Sequence, residues 1–276
     1  MSLQQQLSLT ADRAGTGDRV GLRLGVLIIN ADDWGRDRKT TDRIHACVSQ
    51  RTVSSVSAMV FMPDSERASA IAKESGIDAG LHLNFTTPFS APGCPAQLVD
   101  RQAEIARYLL RSRLSQAVFN PWLFRSFQYV VAAQVDEFCR LYGTPPGRLD
   151  GHHHMHLCAN VLWGGLLPSG TAVRRNFSFQ PGEKSLWNRL YRQTVDRKVA
   201  QRHAVTDYFF NLVPLEPPSR LRQVFRLARE HVVEVETHPV NDEEQRFLAG
   251  EEIFRYTGEL QIASRYTVRP NGQAKR

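Results

Sequence analysis

The chain has 276 residues, 42% of them hydrophobic and 23% charged, which is enough for one large α/β domain with a substantial core. Its net charge of +7 could serve nucleic acid, a membrane surface or an anionic substrate. The arginines are dispersed, however, with local density at 101–113, 174–175 and 189–202, and no nucleic-acid motif accompanies them, so no nucleic-acid partner is expected. No stretch approaches the roughly 20 apolar residues of a membrane span, and the first residues lack the apolar core of a secretory signal. The four cysteines at 47, 94, 139 and 158 form no CxxC pair. Reduced thiols and cytoplasmic residence are the default expectation.

In chain order, residues 1–20 are polar and read as a loose leader, 21–267 as one domain and 268–276 as a loose basic tail. Apolar runs predict strands over 24–31, 55–62, 78–84, 147–152, 171–176, 205–211 and 231–238. Between them lie helix patterns. Residues 37–50 carry Ile44, Cys47 and Val48 at helical spacing, and 64–75 carry Ala68, Ile71 and Ala72. The clearest helix is 121–142, where Phe124, Phe127, Val131, Val135, Phe138 and Tyr142 step by three and four. Stretches 86–96, 143–147 and 213–219 read as loops. Repeated β–α alternation predicts a parallel sheet with helical crossovers, closed into a barrel or open and doubly wound.

Unusual polar residues stand where the predicted strands end. Asp32 and Asp33 follow the apolar run Val26-Leu27-Ile28-Ile29, His82 closes "AGLHLN", His152 follows "RLDG", and His238 closes "VEVETH". Strand C-terminal ends share one face in α/β folds, so four distant segments converge there. Adjacent carboxylates repel unless something positive sits beside them, and a bound cation would relieve that repulsion. The run "DGHHHMH", 150–156, holds four histidines in five positions, too many for satisfied core residues. In an extended segment His152, His154 and His156 would face one side and His153 the other. Imidazoles with a carboxylate suit a divalent ion of the Zn²⁺, Mn²⁺ or Co²⁺ kind, with Mg²⁺ less favoured by nitrogen. One Asp and two His would leave coordination positions open, as catalytic sites do, and would free the second aspartate to orient or deprotonate a water.

"IINADDWG", "AGLHLN", "LDGHHHMH" and "VEVETHP", in this order, resemble the YdjC-type carbohydrate deacetylases over roughly residues 24–265. The resemblance implies a single-domain deformed β/α barrel of about seven parallel strands. It implies one divalent cation per chain, Mg²⁺ by family, and hydrolysis of the N-acetyl group of an amino sugar that is oligosaccharidic or lipid-linked. Carried across by motif, Asp33, His82 and His152 correspond to metal ligands, Asp32 to the catalytic base and His238 to a candidate acid. His154, His156, Arg174 and Trp34 are expected to touch substrate or support the ligands. The sequence departs from the family pattern in having Trp34 for Phe, Gly151 for Ser and Val240 for Gly. A homodimer is left open. The rival readings are a metal phosphoesterase on a similar barrel, which would want more strand-end carboxylates, and a non-catalytic basic binding protein.

Overall fold

In the computed structural model, residues 25–179, 185–258 and 260–268 are described; the predicted leader, 1–20, and all but Val268 of the tail lie outside them. Seven strands form one parallel sheet: β1 (Val26–Trp34), β2 (Ser55–Ala58), β3 (Ala79–Leu83), β4 (Arg148–Gly151), β5 (Ala172–Val173), β6 (Tyr208–Asn211) and β7 (Val232–Thr237). Each falls on a predicted strand. The spatial order is β5-β4-β3-β2-β1-β7-β6, with β1 at the centre between β2 and β7. The edges approach each other: Val173 N–H donates to Ala204 O at 2.9 Å, and Ser178 N–H to Phe209 O at 2.7 Å. The sheet is thereby curled into a half-barrel, and the chain forms a single domain.

Helices α1 (Arg38–Ser49), α2 (Ser65–Ser75), α3 (Ala96–Arg111), α4 (Phe124–Tyr142), α5 (Ala159–Trp163), α6 (Leu186–Ala200) and α7 (Pro218–Leu227) lie in the crossovers, and α8 (Asp242–Ala249) and α9 (Glu252–Thr257) follow the last strand, β7. The Asp37 carboxylate caps α1 by accepting from Thr40 N–H at 2.8 Å. The predicted helix 121–142 begins with a separate 3-10 turn at Pro121–Leu123, where the Asn120 side chain accepts from Trp122 N–H and Pro121 occupies the first position, which needs no N–H. α4 follows and buries Phe127, Val131 and Phe138 as the periodicity requires. Among the described residues no helix is long and apolar enough to cross a membrane.

Strand alternation sorts the side chains into two environments. Leu27, Ile29, Ala31, Val56, Leu81, Leu149, Val173, Val233 and Val235 join the hydrophobic core packed beneath the helices. The opposite parity puts Asn30, Asp32, Ser57, His82, Arg148, Asp150, Arg174, Glu234 and Glu236 inside the curl, all buried. Hydrogen bonds between strands that are not neighbours prove the inward direction, for example Arg174 on the β5 side to Asp32 on β1. The polar residues therefore extend along the interior and are not confined to strand ends. Gly80 makes room for this filling: a Cβ there would lie 2.4 Å from Arg148 Cγ.

Candidate metal and catalytic site

Asp32 and Asp33 both enter the interior because β1 breaks its own alternation. Asp33 has φ 69°, in the left-handed region, and the β1–β2 register shifts between Ala31 and Trp34. Asp33 Oδ1 lies 3.0 Å from His152 Nδ1 and 3.4 Å from His82 Nε2. Arg36 Nη1 donates to the other oxygen, Oδ2, at 2.9 Å. His82 Nδ1 meets Asp150 Oδ1 at 2.8 Å, an arrangement that keeps a ring proton on Nδ1 and, once the ring is neutral, leaves the lone pair on Nε2. Asp33 Oδ1 and His82 Nε2 are both buried and without a hydrogen-bond partner. One atom each from Asp33, His82 and His152 falls within 4.8 Å of the others. Two orphaned buried acceptors beside a third ligand atom fit a divalent cation, since an unfilled pair of that kind costs free energy.

Asp32 is held differently. Arg174 forks onto it, Nη1 to Oδ2 at 2.6 Å and Nη2 to Oδ1 at 2.8 Å, while Asn30 Nδ2 donates to Oδ1 at 2.9 Å. Its Oδ2 stands 4.0 Å from His82 Nε2. Burial pushes the Asp32 carboxyl up, but Arg174 and His82 together outweigh this and hold it below the usual range. Burial likewise opposes Asp33, yet the His152 and His82 rings beside it keep it well below that range in the metal-free protein.

Arg174 is 1% exposed and touches three further carboxylates: Asp150 Oδ2 at 2.9 Å, Glu234 Oε1 at 2.7 Å and Glu236 Oε2 at 3.2 Å. Glu234 and Glu236 are pushed up by burial, Glu236 further by the Asp32 charge. The interior therefore holds more carboxylates than the strand ends suggested; Asp32–His82–Asp150 and Asp32–Glu236–His238 also offer ligand atoms within 4.8 Å of one another, but their carboxylates already surround the Arg174 guanidinium. Asp150, Glu234, Glu236, Asn30, Ser57 and Arg36 escaped the sequence reading. A signal existed for the glutamates: in "VVEVET" they alternate with valine on a wholly buried strand.

His238 follows β7, and a nitrogen of its ring lies within 4.8 Å of carboxylate oxygens of Asp32 and Glu236. Its backbone N–H donates to Glu244 Oε2 at 2.8 Å, as does Thr237 Oγ1 at 2.6 Å, anchoring the strand end to α8.

The histidine cluster departs from expectation. Residues 152–157 form a 3-10 turn, with His153 and His154 at φ 54° and 57°, and are not extended. His152, His154 and His156 consequently do not share a side. His156 is fully buried and its Nε2 meets Arg174 O at 3.0 Å, behind Gly151. A Cβ on residue 151 would come within 3.0 Å of His156, which accounts for glycine there. His154 stays partly open, its Nε2 3.6 Å from Glu236 Oε2 and its ring 4.6 Å from Phe177. His153 is exposed and meets Thr86 Oγ1 at 3.0 Å through Nδ1. Of the two roles expected of Trp34, contact with substrate is not available to it: it is fully buried in the core, its ring 6.5 Å from that of His45 on α1.

The family model described as YdjC-like protein matches residues 26–266. Among curated proteins, the chain is 29% identical to a chitooligosaccharide deacetylase of Proteus mirabilis over 50% of this chain and 52% of that protein. It is also 29% identical to one from Serratia marcescens, over 48% and 51%. These matches span about half the length of the curated relatives. A solved structure from Enterococcus faecalis V583, of a candidate cellobiose-phosphate cleavage protein, superposes with a TM-score of 0.64 at 18% identity, covering 87% of this chain and 96% of that one. It shares the fold.

Proposed function

The chain belongs to the YdjC-like protein family, and on that premise we propose that it is a metal-dependent deacetylase that hydrolyses the N-acetyl group of an amino sugar, oligosaccharidic or lipid-linked, and releases acetate. The observation that carries this reading is the pair of unpartnered buried atoms, Asp33 Oδ1 and His82 Nε2, beside His152 Nδ1, with Asp32 Oδ2 only 4.0 Å from His82 Nε2. The chitooligosaccharide deacetylases among its relatives support the substrate class.

Asp33, His82 and His152 would hold one divalent cation. Mg²⁺ follows from the family resemblance, while the two nitrogen donors suit Zn²⁺, Mn²⁺ or Co²⁺. When bound, such an ion supplies Lewis-acid polarisation of the acetamide carbonyl and a water of lowered pKa. Asp150 fixes the His82 tautomer and Arg36 restrains Asp33 to one free oxygen. Asp32 takes the proton of the attacking water through Oδ2, which accepts from Arg174 Nη1 and lies 4.0 Å from His82 Nε2. Water adds to the acetamide carbon, the carbon–nitrogen bond breaks, and His238 delivers a proton to the departing amine. Arg174, His154 and His156 position these groups.

Cytoplasmic residence accords with four free thiols in Cys47, Cys94, Cys139 and Cys158. The decisive experiment is an acetate-release screen over N-acetylglucosamine, chitobiose, nucleotide-linked N-acetylhexosamines and glycolipids, each with and without chelator. Chelator-sensitive acetate release is expected; silence on every acetylated sugar, with or without added metal, would remove the proposal.

A further inference from the structure

α6 inverts the usual arrangement of an amphipathic helix. Of its fifteen residues only Val199 is buried, while Leu186, Trp187, Leu190 and Tyr191 are 78%, 82%, 52% and 46% exposed. Their spacing of one, three and four places them on one outward face over the first two turns. Four large apolar side chains grouped on one surface helix need a partner, whereas single exposed ones do not. Residues 186–202 also carry Arg189, Arg192, Arg197, Lys198 and Arg202 against a single acid, Asp196. That acid is occupied by Arg175 Nη2 at 2.9 Å and Asn176.

We propose that this face of α6 is a docking surface for an anionic lipid bilayer. Leucines flanked by Trp and Tyr, with arginines beside them, match the interfacial mode in which apolar side chains enter the headgroup boundary and cations meet anionic lipid. The charge argues against a second copy of this chain, because a two-fold contact would set the same basic helix against itself. Trp163, 62% exposed on the neighbouring α5, extends the aromatic surface, its ring 5.1 Å below Lys198 Nζ. The placement also connects to the interior. α6 leads from the end of β5 back to the start of β6, so it begins at the barrel end that carries Asp33 and His152. Arg192 lies 4.9 Å over the Phe179 ring, and Phe177, two residues earlier, packs against His154. Docking through the first two turns of α6 sets the mouth of the barrel at the bilayer surface.

The test is flotation of the full chain with phosphatidylcholine vesicles, with and without about a third of phosphatidylglycerol, at low and high salt. Wild type is expected to float with the phosphatidylglycerol vesicles only, and less at high salt. Trp187→Glu combined with Leu190→Glu should weaken that binding about tenfold or more, with unchanged circular dichroism and unchanged acetate release from a soluble N-acetyl sugar. Should that variant misfold, Arg189→Gln with Arg197→Gln serves instead, with about tenfold weaker binding and a flatter salt dependence expected. Failure of wild type to bind anionic vesicles overturns the proposal, as does binding untouched by both variants. A wild-type dimer that dissociates in the Trp187→Glu, Leu190→Glu variant, without vesicle binding, overturns it in favour of a subunit contact. A wild type that floats but releases no acetate from any substrate counts against the hydrolase reading and leaves the docking surface standing.

Discussion

Asp32 and Asp33 are neighbours in sequence, yet each meets a different cation partner: Asp32 is clamped by Arg174 at 2.6 and 2.8 Å, and Asp33 by Arg36 at 2.9 Å. The left-handed backbone at Asp33 makes this possible, because two extended neighbours would point to opposite faces. Asp33→Asn should therefore abolish stoichiometric metal binding, read by elemental analysis of the dialysed protein. Asp32→Asn should retain the metal and lose turnover by orders of magnitude, as removal of a general base does. Equal loss of metal in both variants would make the pair joint ligands and refute the division of labour.

Asp150 acts through His82. Its carboxylate holds Nδ1 at 2.8 Å and accepts from Ser57 Oγ at 2.5 Å and Arg174 at 2.9 Å. Asp150→Asn frees the imidazole to rotate and lowers the basicity of Nε2. Metal affinity, measured by competition with a chromophoric chelator, should fall about 10- to 100-fold. An unchanged affinity would mean that packing alone orients His82.

His238→Ala is expected to slow acetate release by about 10²- to 10⁴-fold and to alter the pH–rate profile. Metal content should not change, since His238 stands with Asp32 and Glu236 and not with the Asp33 cluster. Near-normal turnover with an unaltered profile would move the acid to the 152–156 turn, where His154 is the accessible candidate.

Arg174 is buried with Asp32, Asp150, Glu234 and Glu236 around it, so Arg174→Gln should cost on the order of 3–5 kcal/mol through stranded carboxylates. The pH dependence has a definite sign. Burial raises Asp32 and Asp150, but Arg174 and His82 outweigh it and depress both below the ordinary 3.8. Their stabilisation is present above that value and disappears as pH falls through the lower folded-state values. The deficit of the variant, from urea unfolding of the metal-free proteins, should be largest near neutrality and shrink below about pH 4. A deficit constant from pH 7 to 3 would show that lost packing, not charge, dominates.

Most of the strands were legible as short, largely apolar runs between turn signals, whereas β4, Arg-Leu-Asp-Gly, and the two-residue β5 carry little apolar signal of their own; Asp33, His82 and His152 stood out as polar residues at the ends of strand candidates. α3 was harder to see: Leu98, Ile105 and Leu109 are buried at helical spacing, but the surrounding arginines read first as a charged stretch. The sequence determines which residues alternate, since the two-residue period of a strand is local geometry. It does not determine which parity faces the helices and which the interior, because that depends on the direction in which the whole sheet curls. Nor can a local pattern announce a left-handed residue at Asp33 or a tight turn through "HHHMH", where tertiary contacts impose the backbone. Arg174, just past the end of β5, and Asp32, on β1, are 142 residues apart, and β5 and β1 are not neighbours in the sheet. Only closure of the curl brings them within hydrogen-bonding distance, and with them the carboxylates that no strand end revealed.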